Sequence, residues 1–133
     1  MSPRTIFLSR LIGLFCILAA FSMIVRGPAT VDTLALLLAD APLMYMVGVI
    51  LLAAGLAMVI AHNIWSGGAL PVVITVIGWA TMIKGLAFLI LTSAADTAFY
   101  LDVLHYREYF YGFAAFSLAV GVFLTYGGFR KNP

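Results

Sequence analysis

Four stretches of this chain, at residues 5–25, 43–62, 71–93 and 109–128, are each about twenty residues long and almost free of charge. A helix rising about 1.5 Å per residue needs roughly 20 residues to cross the ~30 Å hydrocarbon core of a bilayer. In hydrocarbon every backbone polar group must be satisfied within the structure, so such runs cross as helices. The composition agrees. Charged residues make up 9% of the chain and hydrophobic ones 65%, with a mean hydropathy of +1.16, where soluble domains carry about a quarter charged residues. The expected fold is all-α: an integral membrane antiparallel four-helix bundle, forming a single transmembrane domain over residues 1–133.

The segments between the spans fit that reading. Arg4 and Arg10 with the apolar stretch from Leu11 also suit a signal peptide, but no A-x-A pattern follows, so the first run is read as a span. Arg26-Gly27-Pro28 ends it. Residues 27–42 contain a leucine run between Asp32 and Asp40 that is too short to cross, and an amphipathic turn or short helix at the interface is expected. Pro42 opens the second span, and Trp65 follows it at the expected depth for an interfacial tryptophan. Ser66-Gly67-Gly68 makes a turn, and Pro71 suits the first turn of the third span. The third connection, SAADTAFYLDVLHYRE, is the most polar stretch, and Tyr106, Tyr109, Phe110 and Tyr111 form an aromatic belt at the entry to the fourth span.

Four spans place both termini on one side, with Arg4, Arg10, Arg130 and Lys131. The opposite side holds Arg26, Arg107 and all five acids. The Lys/Arg bias predicts cytoplasmic termini. A net charge of +2 is too small to suggest nucleic acid. The single cysteine, Cys16, excludes an intrachain disulfide, a CxxC pair and a cysteine-based metal site.

Lipid tails are as apolar as leucine, so helices associate in membranes mainly through close packing at small residues. Each span carries such residues along one stripe: Ser9, Gly13, Cys16 and Ala20; Gly48, Gly55 and His62; Gly78 and Gly85 with Thr81 and Thr92 beside them; and Ala114, Ser117, Gly121, Thr125 and Gly128. These stripes predict a tight bundle, with room for one stripe to serve a partner.

Seven residues form the candidate functional cluster: His62, Asn63, Trp65, Thr75, Trp79, Thr81 and Lys84. Lys84 is the one lysine inside an apolar run, where its insertion costs at least about 2.5–3.5 kcal/mol. It reads either as a counter-charge for an anionic or proton-carrying substrate or as a snorkelling or paired residue that fixes packing. No acid lies at matching depth in another span; the nearest are Glu108, Asp96 and Asp40, all at the far interface. His62 can titrate near neutral pH or bind metal or haem, but His105, the other histidine, belongs to the opposite side. The alternative is that His62 and Asn63 cap the helix end and bond across the turn. Thr75 can bond back to its own helix. Trp79 needs a polar partner for its indole N–H, and His62 or Asn63 reaches it only if the second and third spans pack closely. Phosphate loops, nucleophile elbows, zinc spacings and paired intramembrane acids are absent from the sequence. No cofactor or metal is expected, and no enzymatic activity.

The pattern H-N-x-W followed by I-T-x-x-G-W-x-x-x-x-K-G, at His62, Asn63, Trp65, Ile74, Thr75, Gly78, Trp79, Lys84 and Gly85, resembles a group of uncharacterised small bacterial four-span inner-membrane proteins. It covers about the middle third of the chain. A proline often follows the third span in such proteins, and here Thr92-Ser93 stand instead. The resemblance implies a set of characteristic residues and no reaction. Three roles are therefore weighed. The first is an accessory or scaffold subunit that packs against itself or another membrane protein. The second is a small oligomeric transporter or channel using Lys84, Thr81 and Thr92. The third is a redox or lipid-modifying subunit acting through His62 and Lys84.

Overall fold

The computed structural model describes residues 2–91 and 93–130. Helices α1 (Pro3–Arg26), α3 (Ala41–Ala61), α4 (Ala69–Ile90) and α6 (Phe110–Arg130) are each long and apolar enough to cross a membrane. Helix α2 (Ala29–Ala39) lies between the first two spans, where a short turn or helix is expected, and buries Val31 and Leu38. Helix α5 (Ser93–Thr97) runs into a π-helical segment, Ala98–Val103, in the third connection. No strand occurs among the described residues.

Local chemistry sets the ends. Ser2 caps α1 by accepting the Thr5 N–H, with Pro3 in the first turn. Asp40 caps α3 by accepting the Leu43 N–H at 3.1 Å, so this acid serves the helix start. The third span ends at Ile90, earlier than the expected residue 93, because Leu91 already has an extended backbone with ψ 157°. Thr92 lies outside the described residues.

The spans pack as two antiparallel pairs, α1 with α6 and α3 with α4, and α1 meets α4 along a much smaller contact. In α1–α6, a Cβ on Gly13 would run into the Thr125 backbone, and Gly121 faces Ile17 and the Gly13 carbonyl. Gly128 lies against Ser9 and Arg10. The Ser9 hydroxyl donates to the Leu124 carbonyl, and Ser117 donates to the Cys16 carbonyl at 3.1 Å. In α3–α4, Gly55 faces the Met82 backbone, Gly85 the Leu51–Leu52 backbone, and Gly78 the Met58 side chain. All four stripes are thus occupied within the chain. The expectation that one remains for a partner is corrected: two helices of each pair approach so closely that each needs the other's small residues.

The pairs meet at the end that carries the termini. There Leu70 and Ile74 of α4 and Leu124 of α6 form a buried cluster, joined by Leu8 and Ile12 of α1 and Met58 of α3. At the far end a second cluster of Leu38, Met44 and Phe88 joins α2, α3 and α4 with Tyr100 of the π-helical segment. Midway, an apolar groove of about 700 Å³ separates the pairs; Cys16, Val76, Ile77, Phe116 and Val120 are among the residues along it.

Candidate functional site

The motif residues divide into two places. His62, Asn63, Trp65, Thr75 and Trp79 come together at the terminal end, whereas Lys84 stands apart, in a pocket at the far end. Thr81, a partly buried residue of α4, joins neither group by a hydrogen bond.

At the terminal end α3 stops at His62, whose N–H still bonds to the Met58 carbonyl at 2.7 Å while its own backbone is extended. The chain then crosses to α4 without helical hydrogen bonds, and Thr75 supplies the missing ones. Its hydroxyl accepts the Ile64 N–H at 3.0 Å and donates to the Ile64 carbonyl at 2.8 Å, sharing that proton with the Pro71 carbonyl at 3.0 Å. His62 is 2% exposed and Thr75 1%. The His62 Nδ1 is 3.2 Å from Thr75 Oγ1, and its Nε2 is 2.9 Å from Thr5 Oγ1 of α1, a side chain as deeply buried as Thr75.

Proton counting orders this network. Thr75 has one hydroxyl proton, which goes to the Ile64 and Pro71 carbonyls, so Nδ1 of His62 must carry a proton and donate to Thr75. Nε2 is left to the Thr5 hydroxyl. The Thr5 hydroxyl also meets the Ser2 hydroxyl, whose Oγ lies 2.9 Å away. Both ring nitrogens are therefore engaged, and the imidazole ties α1, the α3 end and α4 into one knot. Asn63 completes it. Its Oδ1 accepts the indole N–H of Trp65 at 2.8 Å and of Trp79 at 3.2 Å, filling both carbonyl lone pairs.

His62 and Asn63 bond across the turn as expected, to Thr75 and Trp79, but neither side chain caps the α3 carbonyls. The ring is buried and bonds outward to two other helices, and the Ala61 carbonyl instead receives the Arg4 guanidinium at 3.4 Å. Sequence reasoning missed Thr5. Its signal is the Ser2-Pro3 helix start, which puts the Thr5 side chain one turn inside α1, level with the end of α3.

At the far end, Lys84 leaves α4 on its outer face, not toward the small-residue contact with α3. Its Nζ lies 5.7 Å from the Phe88 ring centroid and 5.5 Å from that of Tyr100, within cation–π range. Lys84 makes no ion pair among the described residues. It lines a pocket of about 580 Å³ with Phe88, Asp96, Phe99 and Tyr100. Asp96 is 3% exposed, and its burial pushes the carboxyl pKa up. Of the three acids weighed against Lys84, Asp96 alone shares its pocket. Asp40 caps α3, and Glu108 lies 3.8 Å from His105 at an exposed position.

Aromatic packing anchors this end. Phe88 meets Tyr100, Tyr100 meets Tyr106, and Tyr106 stacks on Phe113 of α6 at 5.0 Å. Arg107 pairs with Asp32 of α2 at 3.0 Å. No group of three His, Cys, Asp or Glu side chains suited to a metal occurs among the described residues. Comparison of the chain with protein-family models, with curated proteins and with solved structures returns no match.

Proposed function

We propose that this chain is a non-enzymatic accessory or scaffold protein of a bacterial inner membrane, packing through its outer helix faces against a second copy or another membrane protein. The observation that carries this reading is the pairing of the motif residues with one another. Both nitrogens of His62, the hydroxyl of Thr75 and the carbonyl of Asn63 are hydrogen-bonded within the cluster, so the motif holds helices rather than presenting a free acid, base or nucleophile. With the small-residue stripes also taken up internally, what the chain offers a partner is the groove between its two pairs, flanked by exposed Val76 and Phe116. The Lys/Arg distribution supports cytoplasmic termini, since Arg4, Arg10 and Arg130 share one end.

The test is purification in several mild detergents and in lipid nanodiscs, followed by native mass spectrometry. An oligomer or a stoichiometric companion is expected. Cys16 borders the groove, so a thiol-reactive spin label there should be immobilised in the complex. Monomer under every condition would overturn the proposal. The transporter reading keeps one supporting observation, the presence of Lys84 and Asp96 in the same pocket.

A further inference from the structure

The far-end pocket has a composition that neither packing nor the terminal-end knot explains. One wall is α4, from Ala80 through Ile83 to Ala87, and the other is the connection that carries Asp96, Phe99 and Tyr100. Ala80 lies deeper along the span than Lys84, and Asp96 lies beyond the helix end, so the pocket is apolar at depth and polar at its interfacial mouth. Ile83, Leu91 and Phe99 of its lining are all exposed. Its volume of about 580 Å³ falls in the range of ordinary small-molecule sites, about 300–1,000 Å³.

We propose that this pocket binds one single-chain amphiphile with an anionic head, the head held by Lys84 and Asp96 and the acyl tail lying along α4 toward Ala80. Three observations select this ligand chemistry. First, the Lys84 ammonium rests on two ring faces with no acid within ion-pair distance, so its charge is available to an anion. Second, Asp96 lines the same pocket almost wholly buried, with no ion-pair partner among the described residues. Burial favours its protonated form, and an anion brought alongside favours it further. In that form the carboxyl donates a hydrogen bond where a carboxylate would repel. Third, the deep wall is aliphatic, which suits a tail, and a polar solute would leave it empty. The proposal stands whether or not the chain also has a protein partner.

The experiment uses the full chain purified in dodecyl maltoside and reconstituted in neutral-lipid nanodiscs, with radiolabelled palmitate and lysophosphatidate as probes and monopalmitoylglycerol as uncharged competitor. Saturable binding of one probe molecule per chain is expected, without displacement by the competitor. Lys84→Met should weaken binding about tenfold to a hundredfold, the loss of one charge-assisted contact, while Lys84→Arg keeps it. Ala87→Phe, which fills the cavity and leaves the charge, should abolish it. Palmitate binding alone identifies a free fatty acid as the source of the ligand; lysophosphatidate binding alone identifies a glycerophospholipid; both together identify the anionic head as the recognised feature. Absence of binding by either probe, equal displacement by the uncharged competitor, or unchanged binding in folded Lys84→Met and Ala87→Phe would overturn the proposal. Should both variants fail to fold, the competition on the unaltered chain decides it.

Discussion

Thr75 is the side chain on which the terminal end turns. One hydroxyl serves the Ile64 N–H, the Ile64 and Pro71 carbonyls and the His62 ring. Valine has nearly the same shape and none of this capacity. Thr75→Val therefore strands a buried imidazole donor and a backbone N–H, where one unsatisfied buried group costs about 1–3 kcal/mol. Thermal unfolding in detergent, followed by fluorescence-detected gel filtration, should show a clear loss for Thr75→Val and little for Thr75→Ser. An equal tolerance of both would mean that the hydroxyl does not hold the knot. His62 sits in the same network, so His62→Phe combined with Thr75→Val should cost less than the sum of the two single changes.

At the scale of elements, the glycines separate packing from propensity. Gly85 and Gly112 are both helical glycines in apolar spans. A Cβ at Gly85 would strike the Leu52 backbone, whereas one at Gly112 meets nothing within 4 Å. Backbone has no rotamer with which to yield, so Gly85→Ala must push α3 and α4 apart. Gly112→Ala instead gains helix propensity, up to about 1 kcal/mol. Opposite shifts in melting temperature are expected for the two variants, and shifts of the same sign would show that the α3–α4 approach is looser than described. These contacts also mark what the sequence could convey. Span length and the positions of the stripes follow from hydropathy and from the helical repeat, and both are legible in the residues. Which stripe meets which is not, because a glycine's spacing is the same whether it faces α3 or α6. For the same reason Trp79 could be assigned a need for a polar partner, but its bond to Asn63 depended on the closeness of α3 and α4. Thr5 and Asp96 were less visible still. A threonine near a chain start and one interfacial acid among three carry no local mark of burial.

The molecule as a whole has two unlike ends. The terminal end is closed by the hydrogen-bonded network of Thr5, His62 and Thr75. The far end carries the acids and the exposed Lys84, with a π-helical segment whose Tyr100 meets Phe88 and Tyr106, while Tyr106 stacks on Phe113 of α6. At the far end, Asp96 gives the response to pH an unusual sign. Burial raises its pKa in the folded state above the ordinary aspartate value of about 3.9. Between that value and the raised one, the folded chain holds a proton that the unfolded chain has released. Stability then falls as pH rises through this window and is recovered on acidification. Asp96→Asn removes the titration and keeps the shape. The melting temperature of the unaltered chain minus that of Asp96→Asn should become more negative as pH rises from below the ordinary aspartate value, and level off once the folded carboxyl has ionised. A flat difference would mean that Asp96 is solvated, and the polar half of the far-end pocket would lose its hydrogen-bond donor.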